Sequence, residues 1–323
     1  MERKYDFESI STKYTFDARQ VEKVCRISDF LQDVSNIPFL RRHLCLYGGT
    51  ALTFVYSDNI PRLSIDVDFN YRHFGAEDWG IVREEIDKSI KEVLYAQRYE
   101  EKDLAIQSSY PLCRFIVRYT NSIGLPDSFN IEIGYMRRFP VLTRDSIRNF
   151  KHIGNGQRFL IKTPRPMEIF SNKWCTMLYR SSSRDLFDMY IISKQDLDFE
   201  MFRKCAIIDS LMRSIDEQGH VKHKLYEVDS ELIIDSIPID SGLRNLLHQR
   251  NDYDYDLIRK NVKNLSKKIL KTLTSEEKMA IDIFYEKRIF RRDLIESNKK
   301  IFHKSLDKHP SILRTLDLLR TKK

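Results

Sequence analysis

Alternating apolar and polar residues predict strands in the first half of the chain. Leu44–Tyr47 is a short apolar run that ends at two glycines, and a helical pattern begins directly after them. The segment Ser64–Asn70 alternates strictly between apolar and polar positions. A period of two residues is typical of a half-buried strand. Leu112–Tyr119 and Phe129–Met136 are two further predicted strands.

Apolar residues at helical spacing predict helices between and after these strands. Asp17 is suited to cap one helix, and an apolar stripe from Trp79 to Leu94 marks another. Pro166 suits the first turn of a third helix. Thr274–Glu277 reads as a capping box, and Pro310 opens a last helix. Beyond about residue 160 the pattern is therefore mostly helical.

Length and composition narrow the fold class. A chain of 323 residues suggests roughly two domains. Its 41% hydrophobic content allows a sizeable core and excludes a disordered chain. Only 10 glycines and 9 prolines leave little room for an all-β sandwich with many tight turns. We predict an α+β fold, with a mixed sheet and helices in a core domain over residues 1–160 and a mostly helical C-terminal domain over residues 161–323.

The absence of several sequence signals excludes other classes of protein. No apolar run approaches the length that spans a bilayer, and the N-terminus has no apolar segment of a signal peptide. The five cysteines are far apart and form no CxxC pair. We therefore expect a cytoplasmic protein without a membrane partner, a disulfide framework or a structural zinc site.

Positive charge is concentrated at the C-terminal end. The net charge is +8, but residues 258–323 contain 19 Lys and Arg against 8 Asp and Glu, a local net charge of +11. The first 257 residues carry −3. This asymmetry predicts a polyanionic partner for the basic tail from about residue 258. The alternative is a solvated helical surface.

The alternating segment carries the strongest candidate chemistry. Asp66 and Asp68 leave the same face of the predicted strand about 7 Å apart, so both can bind one hard divalent cation such as Mg²⁺. Glu132 lies on the polar face of a later strand and is a candidate third carboxylate. The alternative for a bare Asp-x-Asp motif is a strand face in water.

A glycine turn precedes this motif. Gly48, Gly49 and Thr50 lie between a predicted strand and a helix, where glycines let the backbone approach a phosphate and free amides favour an anion. Alone, the turn would be ordinary. Followed by the strand with Asp66 and Asp68, it predicts a triphosphate held on the turn and its metal held on the aspartates.

These segments resemble the core of the DNA-polymerase-β-like nucleotidyltransferases and, more narrowly, the AbiEii/AbiGii toxin family. The resemblance rests on the Gly-Gly-Thr turn, the segment Arg62–Phe69, the segment Ile131–Ile133, Lys173 on a predicted helix, and the helix start Arg184–Asp188. It covers residues 44–195. A weaker similarity extends to the helical tail around Thr274–Glu277.

The resemblance implies a role for each matching residue. Implied metal ligands for Mg²⁺ or Mn²⁺ are Asp66, Asp68 and Glu132. Implied phosphate contacts are Gly48, Gly49, Thr50, Arg62, Ser64 and Lys173. Asp185 and Asp188 join the implied catalytic set, and Glu132 could also help to deprotonate the acceptor. The alternatives are a surface position for Arg62, a solvated Lys173, and a plain ion pair of Arg184 with Asp188.

The implied activity is transfer of a nucleoside monophosphate from an NTP to an acceptor hydroxyl, with release of pyrophosphate. The implied acceptor is the 3′ end of tRNA, whose modification would block aminoacylation and arrest growth. A cognate antitoxin protein is the implied partner, and phage defence is an implied setting. Two alternatives stay open: nucleotidylation of a protein hydroxyl, and a non-catalytic module that binds nucleotide or RNA on the same fold.

Overall fold

The computed structural model describes residues 4–75, 77–216, 220–296 and 300–321. The chain forms two compact units, each assembled from three separate segments. Unit 1 comprises Met1–Arg138, Asp145–Pro164 and Leu243–Asp252. Unit 2 comprises Phe139–Arg144, Arg165–Gly242 and Tyr253–Lys323.

Unit 1 contains a five-stranded mixed sheet and a separate two-stranded hairpin. The strands are β1 Leu44–Tyr47, β2 Asp66–Tyr71, β3 Leu104–Ser109, β4 Leu112–Thr120, β5 Pro126–Gly134, β6 Ser146–Lys151 and β7 Arg158–Thr163. The order in the large sheet is β1-β2-β5-β4-β3. Among the described strands, only β2 and β5 pair in parallel, and β6 pairs with β7 in antiparallel fashion. The Asp-x-Asp strand is therefore an inner strand.

The helices of unit 1 cover the apolar side of this sheet and its ends. They are α1 Phe7–Tyr14, α2 Ala18–Asn36, α3 Pro38–His43, α4 Gly48–Ala51 and α5 Trp79–Ala96. A π-helical turn, Leu52–Tyr56, continues α4, and Glu101–Asp103 is a 3₁₀ turn. Asp17 caps α2 as predicted, because its carboxylate accepts a hydrogen bond from the Gln20 amide at 3.1 Å. Along β2, Val67 and Phe69 are buried while the aspartates are partly exposed.

Unit 2 is almost entirely helical. Its helices are α6 Pro166–Arg180, α7 Ser183–Ile192, α8 Phe199–Met212, α9 Ser230–Ser236, α10 Ser241–Arg244 at the boundary, α11 Tyr255–Lys271, α12 Ser275–Lys287, α13 Arg292–Glu296 and α14 Pro310–Thr321. Short 3₁₀ turns are Leu225–Glu227 and Leu306–Lys308. Thr274 and Glu277 form the predicted capping box at the start of α12. The mixed sheet and the helical second unit confirm the α+β prediction.

Three strands were not predicted from the sequence. β3 is mostly exposed, and β6 and β7 bury few residues, so none of them shows a clear alternation. Tertiary bonds hold the hairpin instead: the Thr163 hydroxyl donates to the Leu46 carbonyl at 3.0 Å. The hairpin thereby supports β1, which leads into the glycine turn.

All five cysteines are buried free thiols. Their burial makes each a small apolar core residue, since free cysteine is among the most often buried residue types. In the described ranges, no helix is both long enough and apolar enough to cross a membrane.

Candidate active site

Two aspartates and their strand neighbours form a polar patch on one face of the sheet. Asp66 lies opposite Asn130 on β5, and Asp68 lies opposite Glu132. The Asn130 side-chain amide donates to Oδ1 of Asp66 at 3.3 Å, so these side chains share a face. Because neighbouring strands are about 4.8 Å apart, the backbone of Glu132 lies about that distance from the backbone of Asp68.

The glycine turn is in direct contact with the aspartate strand. Gly48 has φ +71°, and a Cβ atom built there would lie 1.9 Å from Oδ2 of Asp68. A Cβ at Gly49 would lie 2.7 Å from an Arg62 guanidinium nitrogen and 2.8 Å from Oγ of Ser64. Both glycines are therefore required by space, and Gly48 is required by its backbone conformation as well. The turn continues into the π-helical segment Leu52–Tyr56, a rare element that is often found at functional sites.

Thr50 holds the turn against the strand. Its side chain is fully buried, donates a hydrogen bond to the Asp66 carbonyl, and lies 3.0 Å from the Ser64 hydroxyl. These bonds fix the spacing between the glycine amides and the first aspartate. They also give the Thr50 hydroxyl a positioning role within the protein.

Arg62 is buried beneath the turn. Only 3% of this residue is exposed, and its guanidinium donates to the Leu63 carbonyl at 2.7 Å. The alternative of a surface arginine is therefore wrong. The Leu63 amide donates to the Leu246 carbonyl at 2.8 Å, and Leu246 belongs to the late segment Leu243–Asp252 of unit 1. The sequence did not indicate this supporting contact.

Glu132 is paired with an arginine on the next strand. Its Oε1 accepts from Nε of Arg114 at 2.8 Å and lies 2.7 Å from a second guanidinium nitrogen. Within the described part of the chain, no group of three or more His, Cys, Asp and Glu side chains is placed to hold a metal ion. Glu132 as a third metal ligand therefore stays a prediction.

Two carboxylates, without a third, are enough to hold Mg²⁺ together with substrate phosphates. Hard carboxylate oxygens are preferred ligands, and Mg²⁺ is commonly bound by one or two carboxylates together with substrate phosphates. Oδ2 of Asp68 occupies the space that a side chain at position 48 would need, so the glycine lets this carboxylate lie directly against the turn. Asp66 and Asp68 are therefore the residues that would hold the ion.

A buried arginine that the sequence analysis did not single out braces this region. Arg72 directly follows β2 and binds both oxygens of Asp145 at 2.7 Å. It also donates to the Tyr47 hydroxyl at 3.1 Å, one residue before Gly48. Burial opposes its charge, but Asp145, Cys45 and Tyr47 together outweigh burial and raise the pKa of Arg72 well above its ordinary value. An arginine directly after the aspartate strand was the only available sequence signal.

The remaining predicted residues form a second cluster, within unit 2. Nζ of Lys173 on α6 lies 2.8 Å from Asp188 and 3.6 Å from Asp185, both on α7. Arg180 pairs with Asp185 at 2.9 Å. Lys173 is only 7% exposed, so the alternative of a solvated lysine is wrong. Asp188 thus pairs with a buried lysine on another helix, a partner that the alternative of a plain Arg184–Asp188 ion pair did not include.

The comparison with protein families identifies the chain. A family model described as "Nucleotidyl transferase AbiEii toxin, Type IV TA system" matches residues 29–288. The chain is a nucleotidyltransferase. It belongs to the AbiEii family of nucleotidyltransferase toxins from type IV toxin–antitoxin systems, as the sequence motifs predicted.

A solved structure shares the fold. The chain is similar to MenT4, a nucleotidyltransferase toxin from Mycobacterium tuberculosis H37Rv, with 16% sequence identity and a TM-score of 0.64. The similarity covers 90% of this chain and 98% of MenT4. No curated protein matches the chain. Family membership implies an NTP substrate and an antitoxin partner.

Proposed function

We propose that this nucleotidyltransferase transfers a nucleoside monophosphate from an NTP to the 3′-terminal hydroxyl of tRNA in a Mg²⁺-dependent reaction. The reaction would release pyrophosphate, and the modified tRNA could no longer be aminoacylated. Growth arrest is the expected consequence for a toxin. Phage defence is one setting in which such arrest would be useful.

One observation carries the proposal: the contact between the glycine turn and the aspartate strand. The space that a Cβ at Gly48 would need is occupied by Oδ2 of Asp68. Backbone amides on the turn and carboxylates on the strand are thus side by side. This arrangement suits a triphosphate, whose oxygens need amide donors on one side and a metal on the other.

The chain's own residues would mainly position the substrate and neutralise its charge. When bound, Mg²⁺ supplies positive charge that stabilises the attacking and leaving oxygens of the displacement. The amides of Gly48 and Gly49 would hold the terminal phosphates. Arg62 and Ser64, directly under Gly49, would keep the turn in place and add positive charge beside the phosphates. Phosphoryl transfer depends mostly on such positioning.

Glu132 has a different proposed role from the aspartates. Because Arg114 holds its Oε1, the carboxylate would have to leave that partner before it could bind a metal or accept a proton. We propose that Glu132 acts on the acceptor hydroxyl after the NTP is bound. Lys173, Asp185 and Asp188 are proposed to be required for activity on the strength of the family resemblance and of their buried mutual contacts.

A labelled-NTP assay tests the function directly. Purified protein is incubated with total tRNA, Mg²⁺ and each α-labelled NTP in turn, beside the Asp66→Asn variant. We expect label in tRNA with wild type only, and loss of label when EDTA is added. Transfer RNA whose 3′-terminal diol has been oxidised with periodate should accept no label if the 3′ end is the site of modification.

The same assay separates the alternatives. Label on protein instead of RNA would identify a protein hydroxyl as the acceptor. Tight NTP binding without transfer to either would contradict the proposed acceptor. An Asp58→Asn variant is a suitable control, since Asp58 is an exposed carboxylate outside the site.

A further inference from the structure

The sheet face that carries the aspartates continues to an arginine on β4. Asp68 pairs with Tyr47 of β1 on one side and with Glu132 of β5 on the other. Arg114 pairs with Glu132 from the far side of β5, so it is the next residue of the same row across the sheet. Two steps of about 4.8 Å separate the backbones of Asp68 and Arg114. A positive side chain therefore lies within reach of the candidate metal site, on the same face.

Arg114 and Glu132 form their ion pair where solvent reaches both side chains. The exposed fraction is 39% for the Arg114 side chain and 29% for the Glu132 side chain. Nε and Nη2 of Arg114 both lie against Oε1, at 2.8 and 2.7 Å. Within the described part of the chain, the third nitrogen of this guanidinium, Nη1, bonds to no residue. Because exposed ion pairs contribute little stability, a ligand with a stronger negative charge can displace Glu132.

The glycine turn and Arg114 lie on opposite sides of the aspartate strand. Gly48 directly follows β1, whereas Arg114 lies beyond β5, and β1 and β5 flank β2. A triphosphate held on the turn would therefore release its pyrophosphate on the β1 side. The attacking and leaving oxygens of a phosphoryl transfer lie roughly in line. The acceptor hydroxyl would accordingly approach from the β5 side, where Glu132 and Arg114 lie.

We propose that Arg114 binds the last phosphodiester of the RNA acceptor, directly 5′ of the terminal ribose, and that this phosphate displaces Glu132 from the guanidinium. The proposal rests on the RNA acceptor proposed above and adds the residue that would hold its end. A guanidinium suits this role, because its planar fork binds two phosphate oxygens at once. A single ribose separates this phosphate from the 3′ hydroxyl. Binding at Arg114 would therefore bring that hydroxyl towards Glu132 and the aspartates.

The exchange of partners would couple binding of the acceptor to the chemical step. Once displaced, the Glu132 carboxylate would accept the proton of the 3′ hydroxyl. The oxygen of that hydroxyl would form its bond to the α-phosphorus while the bond to pyrophosphate breaks. Arg114 would thus keep Glu132 occupied until the acceptor phosphate arrives.

A neutral linkage at the last phosphate tests this contact. A tRNA that the wild type labels is prepared with a synthetic 3′ fragment that carries a methylphosphonate at the last linkage. This tRNA and one with the natural linkage are compared as acceptors for the wild type and for Arg114→Gln. Because hydrogen bonds to charged groups are strong, we expect either change alone to lower kcat/KM for tRNA by about tenfold or more. Both changes together should cost little more than one, and KM for NTP should not change.

Arg118→Gln is the matched control, since Arg118 is exposed on β4 four residues further along and on the same face as Arg114. In this variant the methylphosphonate should lower kcat/KM as much as it does in the wild type. Independent effects of the linkage and of Arg114→Gln would overturn the proposal. A raised KM for NTP with an unchanged KM for tRNA in Arg114→Gln would also overturn it, by assigning Arg114 to the triphosphate.

Glu132→Gln tests the exchange of partners separately. A neutral amide competes less for the guanidinium of Arg114, so KM for tRNA should fall severalfold although kcat also falls. This gain should be absent with the methylphosphonate tRNA. A residue that only supports the fold would not tighten acceptor binding when it is changed. An unchanged or raised KM for tRNA in Glu132→Gln would overturn the exchange.

Failure of this proposal and failure of the proposed function give different results. Label in tRNA without coupling between Arg114 and the last linkage would overturn the contact and leave the function intact. Absence of label from every RNA with the wild type would overturn the RNA acceptor, and the contact with it.

Discussion

Gly48 and Asp68 are so close that a Cβ on the glycine would lie 1.9 Å from Oδ2 of the aspartate. Tyr47, just before the glycine, pairs with Asp68 in the β1–β2 ladder. The turn and the carboxylate are therefore held together by strand pairing.

Replacing Gly48 should abolish activity, and a second glycine with a similar φ but open space around it provides a matched control. Gly48→Ala must displace Asp68, and we expect transfer to be lost and Mg²⁺ affinity to fall. Gly156→Ala is the control, since Gly156 has φ +70° but a Cβ added there would meet nothing within 4 Å. Both changes carry a backbone cost of about 1–2 kcal/mol. Thermal stability should therefore fall in both, by more in Gly48→Ala because Asp68 must move, while only Gly48→Ala loses transfer.

The two aspartates should be equally indispensable. Asp66→Asn and Asp68→Asn each remove one negative oxygen while keeping the side-chain shape. Because metal binding stabilises transition-state charge by several kcal/mol, we expect transfer to fall on the order of a thousandfold or more. Rate measurements across a Mg²⁺ titration check this. Wild-type activity in either variant would remove the metal site.

Glu132 should matter less than the aspartates. Since Glu132 is proposed to act on the acceptor hydroxyl and Arg114 already holds its Oε1, we expect Glu132→Gln to lower transfer by about a hundredfold, at the low end of the range for a general base. The Mg²⁺ concentration at half-maximal rate should stay near the wild-type value. A loss as large as that of Asp66→Asn would instead identify Glu132 as a third ligand.

The Lys173 cluster should affect both stability and activity. Lys173→Met would leave Asp188 buried without its 2.8 Å partner, and breaking such a pair costs about 3–5 kcal/mol. Adding Asp188→Asn removes the stranded charge and should restore much of the unfolding free energy. Urea unfolding and the labelled-NTP assay separate the two effects. If the double variant recovers transfer together with stability, the cluster serves only the fold of unit 2. Lys173→Arg should not recover full activity, because a planar guanidinium does not replace a compact ammonium.

The basic tail gives a fifth prediction, which concerns whole tRNA. If the tail binds RNA, reversing Lys267, Lys268, Arg291, Arg292 and Lys300 should weaken tRNA binding and flatten its salt dependence while NTP binding persists. Lys299, which belongs to the same basic stretch, lies outside the described residues. Filter binding across a salt series measures both ligands.

The structure also supplies a control for the tail. Lys267 pairs with Glu231 at 2.9 Å and Arg291 with Asp293 at 2.6 Å, so their reversal also breaks ion pairs within unit 2. Reversing Lys260 and Lys271 tests charge alone, since neither lysine forms an ion pair with another described residue. Unchanged tRNA binding in both sets would leave the tail as a solvated surface.

Elements whose signals are local could be predicted from the sequence. Strict alternation around Asp66 and Asp68 predicted the strand, because one face of β2 is buried and the other is not. Capping by Asp17 and by Thr274 was readable because the donor and acceptor are three residues apart. The same motifs were enough to predict the AbiEii family.

The partners of the candidate residues depend on tertiary structure. Arg114 and Glu132 are 18 residues apart, and their pairing depends on the register of β4 with β5. The segment that carries Arg62 is held by a hydrogen bond from the Leu63 amide to the Leu246 carbonyl, far along the chain. Local patterns report burial and caps, because those depend on neighbouring residues. Counter-ions, cavities and supporting contacts depend on strand register and on distant segments that fold back against the site. A local pattern of apolar and polar residues contains no information about either.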